Sequence, residues 1–214
     1  MSRLARKNLQ TQFLHVMVQG INKEFIFNKH DYIQTYLKII NQYEKEFPIT
    51  IIAYCIMNNH AHLLIHVEEI KFLSKFMHIV NLLYSQFYNK ENNRCGVIFR
   101  NKYKIEPIYD LSHLINCINY IHLNPVKANI VDNCSKYPYS SYIDYSTNTG
   151  ICQSEIMHDL FGKSFDFSAL LRSNDNNIFM DITSPNFIEL QIQIDKRIKW
   201  IYKNKKYKFN RYFF

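Results

Sequence analysis

The stretch that most constrains the fold is 51–67. Ile51-Ile52-Ala53-Tyr54-Cys55-Ile56-Met57 is apolar throughout, Asn58-Asn59 interrupts it, and His60-Ala61-His62-Leu63-Leu64-Ile65-His66-Val67 follows. Two apolar segments about a two-residue break read as antiparallel strands, and Asn tolerates the positive φ that such hairpin turns need. Alternate side chains of a strand share a face. His60, His62 and His66 then lie on one side, while Ala61, Leu63, Ile65 and Val67 enter a core. His60 and His62 stand roughly 7 Å apart along the backbone, close enough for both rings to meet one metal ion. His66 lies about 13 Å beyond His62, too far to join them.

The other elements follow from periodicity. Thr11 to Val18 alternates as a strand, with His15 between Phe13 and Met17. Asp31 can cap a helix to about Glu46, with its stripe at Ile33, Tyr36, Leu37, Ile40 and Tyr43. A long helix over 70–88 buries Leu73, Phe76, Met77, Val80, Leu83, Tyr84 and Phe87. Gly96 breaks the chain, and 97–108 reads as a strand with Arg100, Lys102 and Lys104 on one face. A helix over 110–123 should end before Pro125. The order β-α-β-β-α-β-α predicts an α+β fold, an antiparallel sheet with helices on one face. Beyond Pro125, Tyr137-Pro138-Tyr139-Ser140-Ser141-Tyr142 is turn-rich. Ser154 can cap a short helix stopping at Gly162, 173–186 reads as a linker, and a last helix spans about 187–202. We divide the chain into 1–145 and a helical extension, 146–214, with a basic tail.

Charge is concentrated in that tail. The net charge is +8, yet 195–214 carries eight Lys or Arg against Asp195 alone. Lys196, Arg197, Lys199, Lys203, Lys205, Lys206, Lys208 and Arg211 interleave with Trp200, Tyr202, Tyr207, Phe209, Tyr212, Phe213 and Phe214. Cations neutralise phosphates and rings stack on unpaired bases, so the pattern suits single-stranded nucleic acid. A hydrophobic share of 47% with only 4 Gly and 5 Pro indicates a folded chain. No apolar run approaches the ~18 residues of a membrane span, and no apolar segment follows the first charges as in a signal peptide. The odd, scattered set of 5 Cys without C-x-x-C fits reduced thiols in a cytoplasmic protein.

On a helical wheel, Leu111, Leu114, Ile115, Ile118, Ile121 and His122 share the core side of helix 110–123. His113, Asn116, Tyr120 and Asn124 lie opposite. If Tyr120 and Asn124 stand beside His60 and His62, two neutral imidazoles and an amide oxygen make a three-ligand site for Mg²⁺ or Mn²⁺. A phenol is a weak nucleophile at its usual pKa of ~10 and gains from a nearby cation. Its attack would conserve a phosphodiester bond as phosphotyrosine. His15 could serve only around the edge of such a site or contact DNA. A histidine-triad hydrolase would need a third histidine where Leu64 stands, and a zinc hydrolase an H-E-x-x-H that is absent.

Tyr54-Cys55-Ile56-Met57-Asn58-Asn59-His60-Ala61-His62-Leu63-Leu64 and Tyr120-Ile121-His122-Leu123-Asn124-Pro125-Val126-Lys127-Ala128 resemble the IS200-like tyrosine transposases, their REP-associated branch in particular. His15…Gly20-x-Asn22…Ile26-Phe27, Gly96-x-x-Phe99 and Tyr137-x-x-Ser140-Ser141-Tyr142 match as well, so the resemblance covers 10–145. It implies an HUH endonuclease with a ferredoxin-like core that cuts and rejoins single-stranded DNA at hairpin-forming ends. His60, His62 and Asn124 would hold Mg²⁺ or Mn²⁺. Tyr120 would form a 5′-phosphotyrosine and free a 3′-OH. Gln19 stands where arginine is usual, Asn58 where proline is common, and Asn124 where glutamine is frequent. The implied partner is hairpin single-stranded DNA, handled by a monomer or a homodimer, without a membrane, in the cytoplasm or nucleoid. DNA contacts are expected at Arg100, Lys102, Lys104, Lys196, Arg197, Lys199, Lys203, Lys205 and Lys206. The alternative is a host-adopted relic that binds DNA without cutting it.

Overall fold

The computed structural model describes residues 11–147 and 150–152. Its elements are β1 (Phe13–Gln19), a 3-10 turn (Ile21–Lys23), α1 (His30–Glu44), β2 (Ile49–Met57), β3 (His60–Val67), α2 (Ile70–Glu91), β4 (Lys104–Ile108), α3 (Leu111–Lys127), a second 3-10 turn (Cys134–Lys136) and α4 (Ser141–Thr147). The four strands form one antiparallel sheet in the order β2-β3-β1-β4. This is the expected α+β, ferredoxin-like arrangement. The predicted elements at 154–162 and 187–202, the linker and the basic tail lie outside the described residues.

The helices do not share one face. α1 and α2 cover the side of Leu14, Val16, Val18, Ala61, Leu63 and Ile65 with Tyr36, Ile40, Phe76, Val80 and Tyr84. α3 crosses the other side, where Leu114, Cys117, Ile118 and Ile121 meet Ile52, Ala53, Cys55, Met57, Leu64 and Ile108. The expectation of a one-sided sheet is corrected by β2 and β3 themselves. β2 is apolar on both faces, β3 adds Leu64 to the second face beside its histidines, and each face buries against helix. A register shift between Ile51 and Ala53 lets β2 feed both cores: Ile51 enters the first, Ile52 and Ala53 the second.

β2 is an edge strand, and 139–145 covers it. Ile56 N–H donates to Tyr139 O (2.9 Å) and Tyr54 N–H to Ser141 Oγ (2.9 Å). The Tyr54 hydroxyl and the amides of Ile151 and Cys152 donate to the Asp144 carboxylate. A paired edge has no open backbone groups for unrelated strands. All five cysteines are free thiols, as the spacing predicts. Among the described residues no helix is long and apolar enough to cross a membrane.

Four local expectations change. Asp31 sits inside the first turn of α1, whose N-cap is Lys29 without a side-chain cap bond. Asn58 and Asn59 do not adopt positive φ; they serve through hydrogen bonds instead. Their carbonyls accept from Phe27 and Gly20 N–H, at 2.8 and 2.9 Å. The strand read over 97–108 begins only at Lys104. Ile98, Phe99 and Tyr103 are buried, and Asn81 Nδ2 of α2 donates to Lys102 O, so 97–103 is drawn into the α2 side. Finally, Pro125 lies inside α3, which runs on to Lys127. Proline leaves the carbonyl four residues back without its N–H. Asn124 Nδ2 reaches toward that carbonyl, Ile121 O, at 3.5 Å and donates to Tyr120 O at 2.8 Å, which lets the helix continue.

Candidate active site

The pleat places His60 and His62 on the α3 side of the sheet. β3 pairs with β1 so that Gln19 faces His60, Met17 faces His62 and His15 faces Leu64. On β1's other side His15 faces Glu106 and Met17 faces Lys104. Partners in register share a face, so His15, His60, His62, Lys104 and Glu106 all belong to the surface α3 crosses. α3 begins at Asp110, whose side chain caps His113 N–H at 2.7 Å. Its apolar stripe then fixes the helix rotation.

That rotation brings Tyr120 to the histidines. Its ring stands edge-on to His62 at 5.4 Å between centroids and to His15 at 5.7 Å. His60 and His62 are 4.9 Å apart and perpendicular. Tyr120 stays 41% exposed, open to a partner of nucleic-acid size. The side of α3 that the wheel sets opposite the core stripe is therefore the side that meets the histidine edge of the sheet. Lys127, two turns on, holds its ammonium 5.4 Å from the centre of the Tyr120 ring. Asn124 lies one turn after Tyr120. With Nδ2 committed to backbone carbonyls, its amide presents the oxygen.

The imidazoles are neutral and pinned. Burial holds His60 below the ordinary imidazole range. Burial, then the neighbouring His15 and His60, drive His62 down to about 2. His15 is lowered by burial, with Glu106 partly offsetting. Asn59 Nδ2 reaches Lys23 O (3.4 Å), so its oxygen faces His60 Nδ1 at 2.5 Å. That oxygen can only accept, so His60 carries its proton on Nδ1 and a lone pair on Nε2. His15 Nε2 and His62 Nδ1 lie 2.9 Å apart.

Among the described residues no group of three His, Cys, Asp or Glu side chains is arranged to hold a metal ion. Two imidazoles and an amide oxygen form a set of another composition. His60, with a free Nε2, and His62 beside it could offer two neutral imidazoles, and the Asn124 oxygen would be the third donor of a set that suits a divalent cation with open positions.

The remaining predicted residues divide. Arg100, Lys102 and Lys104 are exposed, but only Lys104 stands on a strand, so the three do not alternate along one. Lys196, Arg197, Lys199, Lys203, Lys205 and Lys206 lie outside the described residues. His66 is buried against Phe13, with ring centroids at 4.6 Å, away from the cluster. His122 is fully buried, its Nε2 2.8 Å from Ser141 Oγ. Sequence reasoning missed Glu106 and Lys127. Both were detectable: Glu106 by its strand period with Lys104, Lys127 by falling seven residues after Tyr120.

Comparison with known proteins bears on the family and the fold. A Haemophilus influenzae protein whose name assigns it to the REP-associated tyrosine transposases is 28% identical over 142 residues, 61% of this chain and 78% of the relative. The solved structure of a REP-associated tyrosine transposase bound to a REP hairpin superposes with a TM-score of 0.57 at 18% identity, over 69% of this chain and 86% of that one; this likeness is one of fold. The sequence profile described as "Transposase IS200 like" matches residues 8–124, which ends on Asn124 and spans more than half of the chain. The chain belongs to the IS200-like transposase family.

Proposed function

We propose that this protein cleaves and rejoins single-stranded DNA at hairpin-forming ends through a covalent phosphotyrosine. The observation that carries the reading is the Tyr120 ring set edge-on to His62, at 5.4 Å, on a half-exposed helix flank. Tyr120 Oη attacks the scissile phosphorus, a P–O(Tyr) bond forms, and the bond to the 3′ oxygen breaks. The phenolic proton is lost and the departing 3′ oxygen gains one, leaving a 5′-phosphotyrosine and a free 3′-OH. Because the phosphodiester energy is conserved, attack by a 3′-OH reverses the step and rejoins strands without ATP.

His60 Nε2, His62 Nε2 and Asn124 Oδ1 would hold Mg²⁺ or Mn²⁺. Such a cation, when bound, polarises the phosphodiester and stabilises charge developing on its oxygens. Asn59 orients His60. Lys127, beside the Tyr120 ring, offers a positive charge to the phosphate as it becomes attached there. Lys104, on the same face of the sheet, and the exposed Arg100 and Lys102 would hold the flanking phosphates, with the basic tail adding contacts to the unpaired strand.

The test is a denaturing gel of the protein with labelled hairpin single-stranded DNA, with Mg²⁺ or with EDTA. A covalent protein–DNA band is expected with Mg²⁺ only, and none from Tyr120→Phe. A band that persists in Tyr120→Phe refutes the assignment of the nucleophile. Tight binding with no band on any hairpin favours the non-cutting relic.

A further inference from the structure

His15 contacts His62 directly, and Glu106 contacts His15. His15 is 9% exposed and lies edge to edge with His62, with centroids 5.1 Å apart and planes 20° off parallel. Its Nε2 lies 2.9 Å from His62 Nδ1, and its Nδ1 lies 3.5 Å from Glu106 Oε2. Glu106 is also approached by His113, Nε2 to Oε1 at 4.0 Å. At 3.5 Å the Glu106 contact with His15 is a long hydrogen bond.

Each neutral imidazole has one donor and one acceptor nitrogen. The 2.9 Å contact therefore needs one proton, on His15 or on His62, and the two choices differ in consequence. A proton on His15 Nε2 leaves His62 Nδ1 as acceptor and puts the His62 proton on Nε2, where it blocks a metal ion. A proton on His62 Nδ1 leaves the His62 Nε2 lone pair free. An ionised carboxylate can only accept. Glu106 thus draws the His15 proton to Nδ1, which makes His15 Nε2 an acceptor and His62 Nδ1 the donor.

The geometry points to His15 and Glu106 as positioning residues that fix the tautomer of His62, so that Nε2 is left free as a ligand. The assignment rests on the proposed metal role of His62. It parallels Asn59, which fixes His60 in the same sense with an acceptor-only oxygen. The two histidines of the pair are then set alike by different partners, one on the hairpin turn and one on the neighbouring strand. Partners of this kind are ordinarily worth 10–100-fold in metal affinity.

Two measurements test this on folded protein. Nitrogen-15 NMR of the metal-free protein reads the tautomer of His62 directly and needs no cation. Wild type should show the proton on Nδ1. Glu106→Lys replaces an acceptor with a donor on a side chain 64% exposed, and should move the His62 proton to Nε2; Glu106→Gln, which can still accept, should not. Titration with Mn²⁺ reads affinity. His15→Phe keeps a ring of similar size without a lone pair and should weaken binding by roughly 10–100-fold. His15→Gln keeps an acceptor and should recover most of it. A purely packing role gives the reverse order, with Phe tolerated and Gln not. That order, or a His62 proton on Nε2 in wild type, overturns the assignment. Wild type that binds Mn²⁺ no better than His62→Ala defeats the metal reading, while the tautomer arm still decides whether Glu106 and His15 orient His62.

Discussion

Gly20 links the fold to the proposed site, and replacing it with alanine tests that link. Its φ is −58°, so alanine meets no backbone strain there. The obstacle is space: a Cβ would lie 2.4 Å from Glu24 O and 3.3 Å from Ile26 Cγ2. Glu24 O is backbone, so no rotamer relieves the clash, and the turn must open by roughly 1.0–1.6 Å to reach an ordinary contact of 3.4–4 Å. Opening is resisted because the turn is tied on several sides. Lys23 N–H donates to Gly20 O, Glu24 N–H to Ile21 O, and Arg94 bonds the Glu24 carboxylate at 2.7 Å. Overpacking of this kind costs about 1–3 kcal/mol. Alanine returns about 0.4–1 kcal/mol by restricting the unfolded chain. From the middle of each range the net loss is about 1.3 kcal/mol, or about 3–5 °C in Tm for a chain of this size. Differential scanning calorimetry and urea unfolding measure it. Gly20 N–H also donates to Asn59 O, so the displacement passes to the residue that orients His60. Cleavage should fall by more than stability does, and a misplacement near 1 Å can cost ~10²-fold. A Gly20→Ala protein as stable and as active as wild type would refute the reasoning.

Further predictions concern charge. Burial raises the Asp144 pKa, while bonds from Cys152 N–H, Tyr54 OH and Ile151 N–H pull it partly back. An acid raised in the folded state contributes stability that is whole below its unfolded pKa of ~3.9 and is lost as pH rises through the folded value. Urea midpoints from pH 3 upward should therefore decline more for wild type than for Asp144→Asn; parallel curves would show that Asp144 is not the group responsible. Lys104→Ala should reduce the salt slope of single-strand binding by about 0.7. Lys45→Ala, at the end of α1 on the other side of the sheet, should leave it unchanged, and equal effects of the two would remove Lys104 from the DNA path. Deleting 195–214 should flatten the slope by about 0.7 for each phosphate the tail contacts, and an unchanged slope would take the tail out of binding.

The sheet was legible because two apolar segments about Asn58-Asn59 read as a hairpin, and the alternation along β3 brought the histidine pair with it. α1 and α2 were legible from single apolar stripes. What failed was local punctuation overridden by tertiary contact. Pro125 signals a helix end, but the Asn124 side chain supplies donors near the carbonyl that proline leaves bare, so α3 continues and Lys127 is carried round beside Tyr120. Arg100 and Lys102 alternate with apolar residues as in a strand, but Ile98, Phe99 and Tyr103 are taken by the α2 side. The side of the sheet that α3 would cover was hidden for a different reason: β2, apolar on both faces, does not say which helix takes which face.

The position of Tyr120 shows what a wheel can and cannot give. A wheel orders residues about a helix axis but does not know where the supporting sheet ends. α3 buries Leu114, Cys117, Ile118 and Ile121 over β2, β3 and β4 residues, and its flank falls along the line where β1 and β3 pair. His15 of β1 and His62 of β3 meet on that line, and Tyr120 stands over both. A residue placed away from the core by angle is thus placed at the site by topology. The order β2-β3-β1-β4, rather than any local motif, puts the strand of His15 and the strand of Glu106 beside the histidine pair. A chain with the same two motifs in another strand order would carry His60, His62 and Tyr120 but lack the neighbours that set His62. The tautomer of His62 is for that reason a property of the fold rather than of the motif.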